Sequence, residues 1–333
     1  MRTIEIHGPA PNDIRLVDRP EPQPGPGEVQ VRLRAATLNY RDLAMPQAHG
    51  PSPVRPPYVP LSCGCGVVTA VGHQVTRIRV GDRVAPTFFR TPAEESPTHF
   101  GSALGGPLDG VAREVGCFPQ FGVVKIPDGL SDLEAATLPC AGLTAWNALF
   151  CTRSTKPGDV VLLLGTGGVS MAALQFAKSV AATVIVTSSS DTKLARAAAL
   201  GADYIINYRE TPAWGARVRE LTGGRGADVV LEVGGTGTIE QSIAALRRGG
   251  DIASIGLLAG EVVAQIDETK VKAKLHLIRV GSRFEFEDML RGIISASLRP
   301  VVDHVFPLEQ LVQAMECLRA GRMVGKIGIA IGC

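Results

Sequence analysis

Residues 159–180 read DVVLLLGTGGVSMAALQFAKSV: an apolar run, three glycines within four positions, then small and apolar residues at helical spacing. A strand that runs straight into a glycine turn and from there into a helix belongs inside a parallel sheet, because the crossover helix covers its face. Gly165 permits the tight turn, Gly167 lets the backbone approach a pyrophosphate, and the helix start offers free N–H groups at the positive end of its dipole. Gly165, Thr166, Gly167, Gly168, Val169 and Ser170 are thus a candidate dinucleotide cradle. Ser170 stands where Gly or Ala is usual, and it is small enough to keep helix and strand close.

The same rhythm continues downstream. ATVIVTS, DYIINY, ADVVLEVGG and GDIASIG are short apolar runs separated by helical stretches such as DTKLARAAALGA. Alternation of this kind predicts an α/β fold with a doubly wound parallel sheet. Before residue 125 the text is dense in Gly and Pro, with short β-branched runs such as EVQVRLRAATL, which predicts irregular β structure. The expected division is 1–125 (β-rich), 126–279 (dinucleotide-binding) and 280–333 (a return to the first domain). A net charge of +2 gives no field that would attract nucleic acid or an anionic membrane, so a small-molecule partner is expected. With no basic leader and no run of about 18 apolar residues, the chain reads as cytoplasmic. Seven unclustered cysteines, an odd number, point to reduced thiols rather than a disulfide framework.

The end of the second strand of the alternation, VTSSSDTKL, bears on the cofactor. An acid there would hold the ribose hydroxyls of NAD and repel a 2′-phosphate. Ser188 occupies the acid's expected place, Ser189 and Ser190 add neutral donors, and Lys193 offers a positive charge one turn into the next helix. Tyr208 and Arg209, after the third strand, could close over the same phosphate. NADP (NADPH) is the expected cofactor. Ser190 reads equally well as a helix N-cap.

PGPGEVQVRLRAATLNYRDL, GVVTAVGHQVTRIRVGDRV, EAATLPCAGLTAWNAL, GTGGVS and GKIGIAI occur in one order along nearly the whole chain. In this the sequence resembles the medium-chain dehydrogenase/reductase superfamily. The resemblance implies a GroES-like catalytic domain built from both chain ends, a Rossmann domain inserted between them, an active cleft at their junction, and homodimers or homotetramers. Alcohol dehydrogenases of the family hold catalytic zinc on an early Cys, a Gly-His-Glu motif and a later Cys. The corresponding positions here are Tyr40, then Leu61, Ser62 and Cys63, then Cys140, so a metal-free site is expected. The 90–110 stretch, where many relatives bind structural zinc, has no cysteine. Cys63 and Cys65 read as small buried residues in a Gly-rich stretch.

Without a Lewis acid, simple alcohol oxidation loses transition-state stabilisation, whereas an enone or quinone accepts hydride at carbon and needs only a donor at oxygen. Zinc-free relatives with NYRD-like text are often quinone or enone reductases. The expected function is NADPH-dependent hydride transfer to such a substrate, with Asn39 and Tyr40 donating to its carbonyl. Thr144 and backbone around Gly234, Ile255 and Leu257 are expected at the nicotinamide. Asp42 reads as an ion pair with Arg41, and no histidine is given a role. The alternatives are a metal-free alcohol or aldehyde oxidoreductase and a non-catalytic NADPH-binding protein; neither a basic tract nor an aromatic platform supports nucleic-acid binding.

Overall fold

β1 (Arg2–Ile6) and β2 (Ile14–Asp18) pair antiparallel in a computed structural model that describes residues 1–47, 54–90, 100–256 and 273–332. β3 (Glu28–Thr37) follows, and its Val29, Val31 and Leu33 alternate into an apolar core. On one side β3 lies antiparallel to β4 (Cys63–Val71). On the other, its first half meets β6 (Val115–Pro119) and its second half meets β15 (Lys326–Ala330). β5 (Arg83–Pro86) and β7 (Val123–Lys125) extend the sheet beyond β4, and β14 (Val302–Pro307) runs parallel to β15 at the opposite edge. β3 and β4 approach so closely that a Cβ on Gly66 would stand 2.2 Å from the Arg32 carbonyl oxygen. Only glycine fits there.

The helix α1 (Arg41–Ala44) follows β3, and α2 (Asp132–Ala136) begins in a reciprocal cap between Ser131 and Glu134. α2 packs on β3, β4 and β15, and the Thr37 hydroxyl donates to the Ala136 carbonyl at 2.7 Å. A wide π turn (Leu138–Gly142) leads into α3 (Leu143–Trp146). These packings place the division of the chain between Leu143 and Thr144, later than the change of composition near residue 125. One compact unit is Met1–Leu143 with Val280–Cys333; the other is Thr144–Arg279.

In the second unit every described strand is parallel, in the order β10 (Tyr204–Asn207), β9 (Thr183–Ser188), β8 (Val160–Leu164), β11 (Ala227–Glu232), β12 (Leu246–Ser254), β13 (Lys274–Leu277). β8 and β11 are buried along their full length, as strands covered on both faces must be. The helices α4 (Gly168–Ser179), α5 (Asp191–Ala199), α6 (Trp214–Leu221) and α7 (Ile239–Ala245) supply the crossovers. Trp214, Val218 and Ala245 pack with Leu162, Ile185, Val230 and Ile252 in this unit's core. The first unit is completed by α8 (Arg283–Ser295), capped reciprocally by Ser282 and Glu285, and by α9 (Leu311–Arg319), whose Leu311, Met315 and Leu318 join the core of β3. The fold is thus α/β, a Rossmann sheet inserted in a β-rich GroES-like domain. No described helix is long and apolar enough to cross a membrane.

One buried carboxylate fastens the central strands of the parallel sheet. Asp228 on β11 accepts from the Val160 N–H of β8 at 2.8 Å, from both Arg225 amino groups at 2.6 and 2.7 Å, and from Arg247 Nε at 2.5 Å. Burial raises its pKa, but the bonds from Arg225, Val160 and Arg247 outweigh this and hold it below the ordinary carboxylate value. A depressed folded-state pKa adds stability above the unfolded value, near 4, and that stability is lost as pH falls through the folded value. We predict that Asp228→Asn lowers the unfolding free energy by about 2 kcal/mol at neutral pH, because it leaves Arg225 and Arg247 without their anion. In denaturant titrations, the gap between variant and wild type should narrow below about pH 4.

Candidate active site

The glycine turn after β8 is open at the front. Gly165 has φ 71°, and a Cβ on Gly165 or Gly167 would meet nothing within 4 Å. Gly167 is the N-cap of α4 and offers no side chain to its first N–H groups, which leaves them for an anion. Ser170 instead serves the packing, since its buried hydroxyl donates to the Leu164 carbonyl at 2.7 Å and ties α4 to β8. Thr166 is buried in the turn, while Gly168 and Val169 are half-buried.

Ser188 ends β9, paired with Asn207 of β10, and the Tyr208 N–H donates to the Ser188 carbonyl at 3.0 Å. Ser188 is buried, Ser189 and Lys193 are half-buried, and Tyr208 and Arg209 are exposed. Ser190 accepts from the Lys193 N–H at 3.5 Å as the N-cap of α5. The ends of β9 and β10 therefore gather hydroxyls and cations around a strand end that lacks an acid, apart from Asp191, which accepts from Asn207 Nδ2 at 2.8 Å.

Glu232, at the end of β11, is a residue to which the sequence alone assigned no role. Its buried Oε1 accepts from the N–H groups of Gly234 at 2.7 Å and Gly235 at 2.9 Å and from the Thr238 hydroxyl at 2.6 Å, and its Oε2 accepts from the Ser242 hydroxyl. The N–H of Gly234 is thereby used inside the loop rather than facing a ligand. A Cβ there would stand 2.5 Å from Thr238 Oγ1. The Ile255 N–H donates to the Glu232 carbonyl at 2.9 Å. The signal was present in LEVGG, an acid closing an apolar strand before a glycine turn. Thr144 is buried at the start of the second unit, and Leu257 lies outside the described residues. The open glycine turn, the uncapped helix start and the acid-free end of β9 fit a nicotinamide dinucleotide.

In the first unit a second group of side chains converges. Lys326 on β15 is 5% exposed; its Nζ donates to Asn39 Oδ1 at 2.6 Å and to the Leu38 carbonyl. Asn39 Nδ2 donates to Ser62 Oγ at 3.2 Å and to Cys63 Sγ at 3.1 Å, and Ser62 Oγ lies 3.6 Å from the same sulfur. Cys140 lies on the π turn that packs against β4, the strand that carries Cys63. Burial pushes the Cys63 thiol up, but the bond from Cys140, the Lys326 charge and the contacts with Asn39 and Ser62 bring it below the ordinary value. Cys140 moves the opposite way, raised first by its bond to Cys63 and then by burial.

Cys63 and Cys65 are both fully buried in β4. Cys65 is a packed thiol that donates to Asp132 Oδ1 at 3.6 Å and is pushed up to about 12 by burial and by the Asp132 charge. Cys63 belongs instead to the polar cluster. Leu61, just before it, holds a left-handed φ of 66°, which places Ser62 and Cys63 at a sharp bend.

Two expectations for this region change. Asn39 Nδ2 donates to Ser62 and Cys63, so in this arrangement the amide is turned inward to the cluster rather than toward a substrate carbonyl. Asp42 is not paired with Arg41. Its Oδ2 caps the Asn39 N–H at 2.7 Å, while Arg41 donates to the Leu104 carbonyl at 2.9 Å and lies over the Phe88 ring. Burial raises the Asp42 pKa against the pull of the Arg41 charge, the Asn39 N–H and Lys326. Tyr40, in contrast, is 63% exposed, and its hydroxyl has no hydrogen-bond partner among the described residues.

The cluster does not suit zinc. Zinc sites take at least three thiolate, imidazole or carboxylate donors. The described residues hold no such set of three His, Cys, Asp or Glu side chains, and the buried Lys326 ammonium stands one hydrogen bond from the Cys63 sulfur, through Asn39. His7 and His276 contact Glu5 and Asp251, and His49 and His99 lie outside the described residues.

Residues 25–128 match the alcohol dehydrogenase GroES-like domain, and residues 168–295 match the zinc-binding dehydrogenase family. A zinc-type alcohol dehydrogenase-like protein of Schizosaccharomyces pombe is 44% identical over 90% of this chain and 90% of its own. The crystal structure of an NAD-dependent alcohol dehydrogenase superposes with a TM-score of 0.91 at 34% identity, covering 100% of both chains. Escherichia coli quinone oxidoreductase, solved with NADPH, gives a TM-score of 0.85 at 25% identity, covering 99% of this chain and 100% of its own. The chain belongs to the medium-chain dehydrogenase/reductase family of NAD(P)-dependent oxidoreductases.

Proposed function

We propose that the protein reduces a conjugated enone or quinone with NADPH and without metal. The observation that carries this reading is the donor set of the first unit, in which Asn39 joins the buried Lys326 ammonium to Ser62 and Cys63, at positions that the family resemblance aligns with catalytic-zinc ligands. Bound NADPH supplies a hydride. The chain's part is to hold that cofactor and to stabilise the charge that gathers on the substrate oxygen when a distant carbon accepts hydride.

Tyr40 is the candidate donor to that oxygen, since its hydroxyl is exposed and has no partner to give up among the described residues. Asn39 positions the turn from which Tyr40 projects, held by Lys326 on one side and by Ser62 and Cys63 on the other. A substrate whose charge spreads over a conjugated system needs only this one hydrogen bond, with the proton at carbon drawn from solvent. Preference for NADPH follows from the acid-free end of β9, where Ser188 and Lys193 would face a 2′-phosphate and Tyr208 and Arg209 could cover it. The solved NADPH complex of the bacterial quinone oxidoreductase supports this assignment. Likeness to an NAD-dependent alcohol dehydrogenase favours a second reading, metal-free alcohol or aldehyde chemistry. Turnover of simple alcohols by metal-free protein, with enones and quinones inert, would establish that reading.

In steady-state assays with a panel of enones and quinones, Tyr40→Phe should lower kcat about tenfold, the worth of one hydrogen bond that strengthens in the transition state. Asn39→Ala should lower kcat as well, through loss of the turn; wild-type rates in both variants would exclude this carbonyl site. Separately, Lys193→Glu should raise the KM for NADPH at least about tenfold and leave that for NADH nearly unchanged. An unchanged KM for NADPH would remove Lys193 from the phosphate site.

A further inference from the structure

The turn that presents Tyr40 also presents a cation, Arg41, that forms no ion pair among the described residues. We propose that the Arg41 guanidinium binds a carboxylate on the substrate, so that the molecule reduced is a conjugated oxo acid rather than a neutral enone. The inference rests on the reading of residues 39–42 as the carbonyl site and adds the charge of the molecule that the site selects.

A charge drawn partly out of water is normally answered by an opposite one. Arg19, Arg77 and Arg83 of the same unit are half-buried like Arg41, and they meet Glu5 at 2.6 Å, Glu287 at 2.8 Å and Asp132 at 2.9 Å. Asp42, the acid beside Arg41 in the chain, is turned away, with its Oδ2 on the Asn39 N–H at 2.7 Å. What grips Arg41 is neutral. Its Nη1 donates to the Leu104 carbonyl at 2.9 Å, and its Cζ lies 4.9 Å from the centre of the Phe88 ring.

That grip leaves one edge of the guanidinium unused. Nε and Nη2 have no hydrogen-bond partner among the described residues. Their N–H bonds run side by side and form the fork that the two oxygens of a carboxylate fit. Gly106 keeps side chains away from this edge, since a Cβ there would stand 2.7 Å from Nη2. The surroundings are apolar: Phe88, Leu104 and Met45 are buried, so a charge pair formed here is screened less than one in open water. An arginine kept only for solubility would need neither the aromatic platform nor the glycine at its edge. Tyr40 and Arg41 are consecutive, with Cα atoms about 3.8 Å apart, so the donor for a ketone oxygen and the cation for a carboxylate come from one short turn. The carboxylate takes no part in bond making. Hydride from NADPH joins the carbon β to the ketone and a solvent proton joins the α carbon, as in the neutral enone.

The test compares 4-oxopent-2-enoate with its methyl ester, the same conjugated ketone with and without the negative charge, in steady-state assays of the full-length protein with NADPH. The expected result is a kcat/KM for the acid at least about tenfold above that for the ester, a ratio that falls to about one in Arg41→Leu and is kept in part by Arg41→Lys, which retains the charge without the fork. Equal values for acid and ester in the wild-type protein would overturn the proposal, and so would a ratio that Arg41→Leu leaves unchanged. If that unchanged ratio came with a higher KM for NADPH, the guanidinium would serve the phosphates of the cofactor instead. Calorimetric titration with the saturated acid 4-oxopentanoate, in the presence of NADP⁺, separates this inference from the reading beneath it. Should neither acid nor ester be reduced, the proposed reduction fails, yet 4-oxopentanoate binding that is lost in Arg41→Leu would still establish the anion site. No binding to the wild-type protein, together with an inert acid, would overturn that site as well.

Discussion

The buried ammonium of Lys326 fixes much of the first unit. A lysine taken out of water must be answered by oxygen or by charge, and here the answer comes from the Leu38 carbonyl, Asn39 Oδ1 and, through Asn39, the Cys63 sulfur. One cation thus joins β15 to the end of β3 and to the start of β4, although Lys326 and Asn39 are 287 residues apart along the chain. It also changes the chemistry of the place. A cation one hydrogen bond from the Cys63 sulfur favours sulfur as an anion where a second cation would be repelled, so the same side chain that completes the sheet makes the cluster unsuitable for zinc.

The second unit follows the opposite strategy, with anions anchoring backbone. Asp228 fastens β8 and β11 at one end of the sheet, and Glu232 holds the loop after β11 through two backbone N–H groups and two hydroxyls. A carboxylate so fully satisfied is rigid. The glycine turn after β8 can therefore remain bare, without capping side chains, because its neighbours are held by other means.

The sequence carried the parallel alternation, the glycine turn and the cation-rich end of β9 clearly, since each depends on residues close together in the chain: GTGGVS between an apolar run and a helix, or SSSDTK at a strand end. What it could not show were contacts made by distant residues. Lys326, in GKIGIAI, looks like an ordinary strand residue until β15 is placed beside β3, and the partner of Asp42 could not be found from its neighbour Arg41 because burial and the Asn39 N–H decide it. The twin cysteines divide for the same reason. Strand alternation treats them alike, while Cys65 meets Asp132 and Cys63 meets Asn39 and Ser62.

The placing of β15 has a consequence for synthesis. On a growing chain, β3 and β4 leave the ribosome early, but the partner of the second half of β3, and the cation of the cluster, are encoded after the whole of the second unit. The inserted unit has its six described strands in one continuous stretch and can close its sheet while the first still has an open edge. The dinucleotide-binding half is therefore finished first, and the polar cluster around Cys63 takes its final form only when β15 slots in against β3. During that interval the unpaired edge at residues 35–37 is the part of the nascent chain most in need of shielding from other strands.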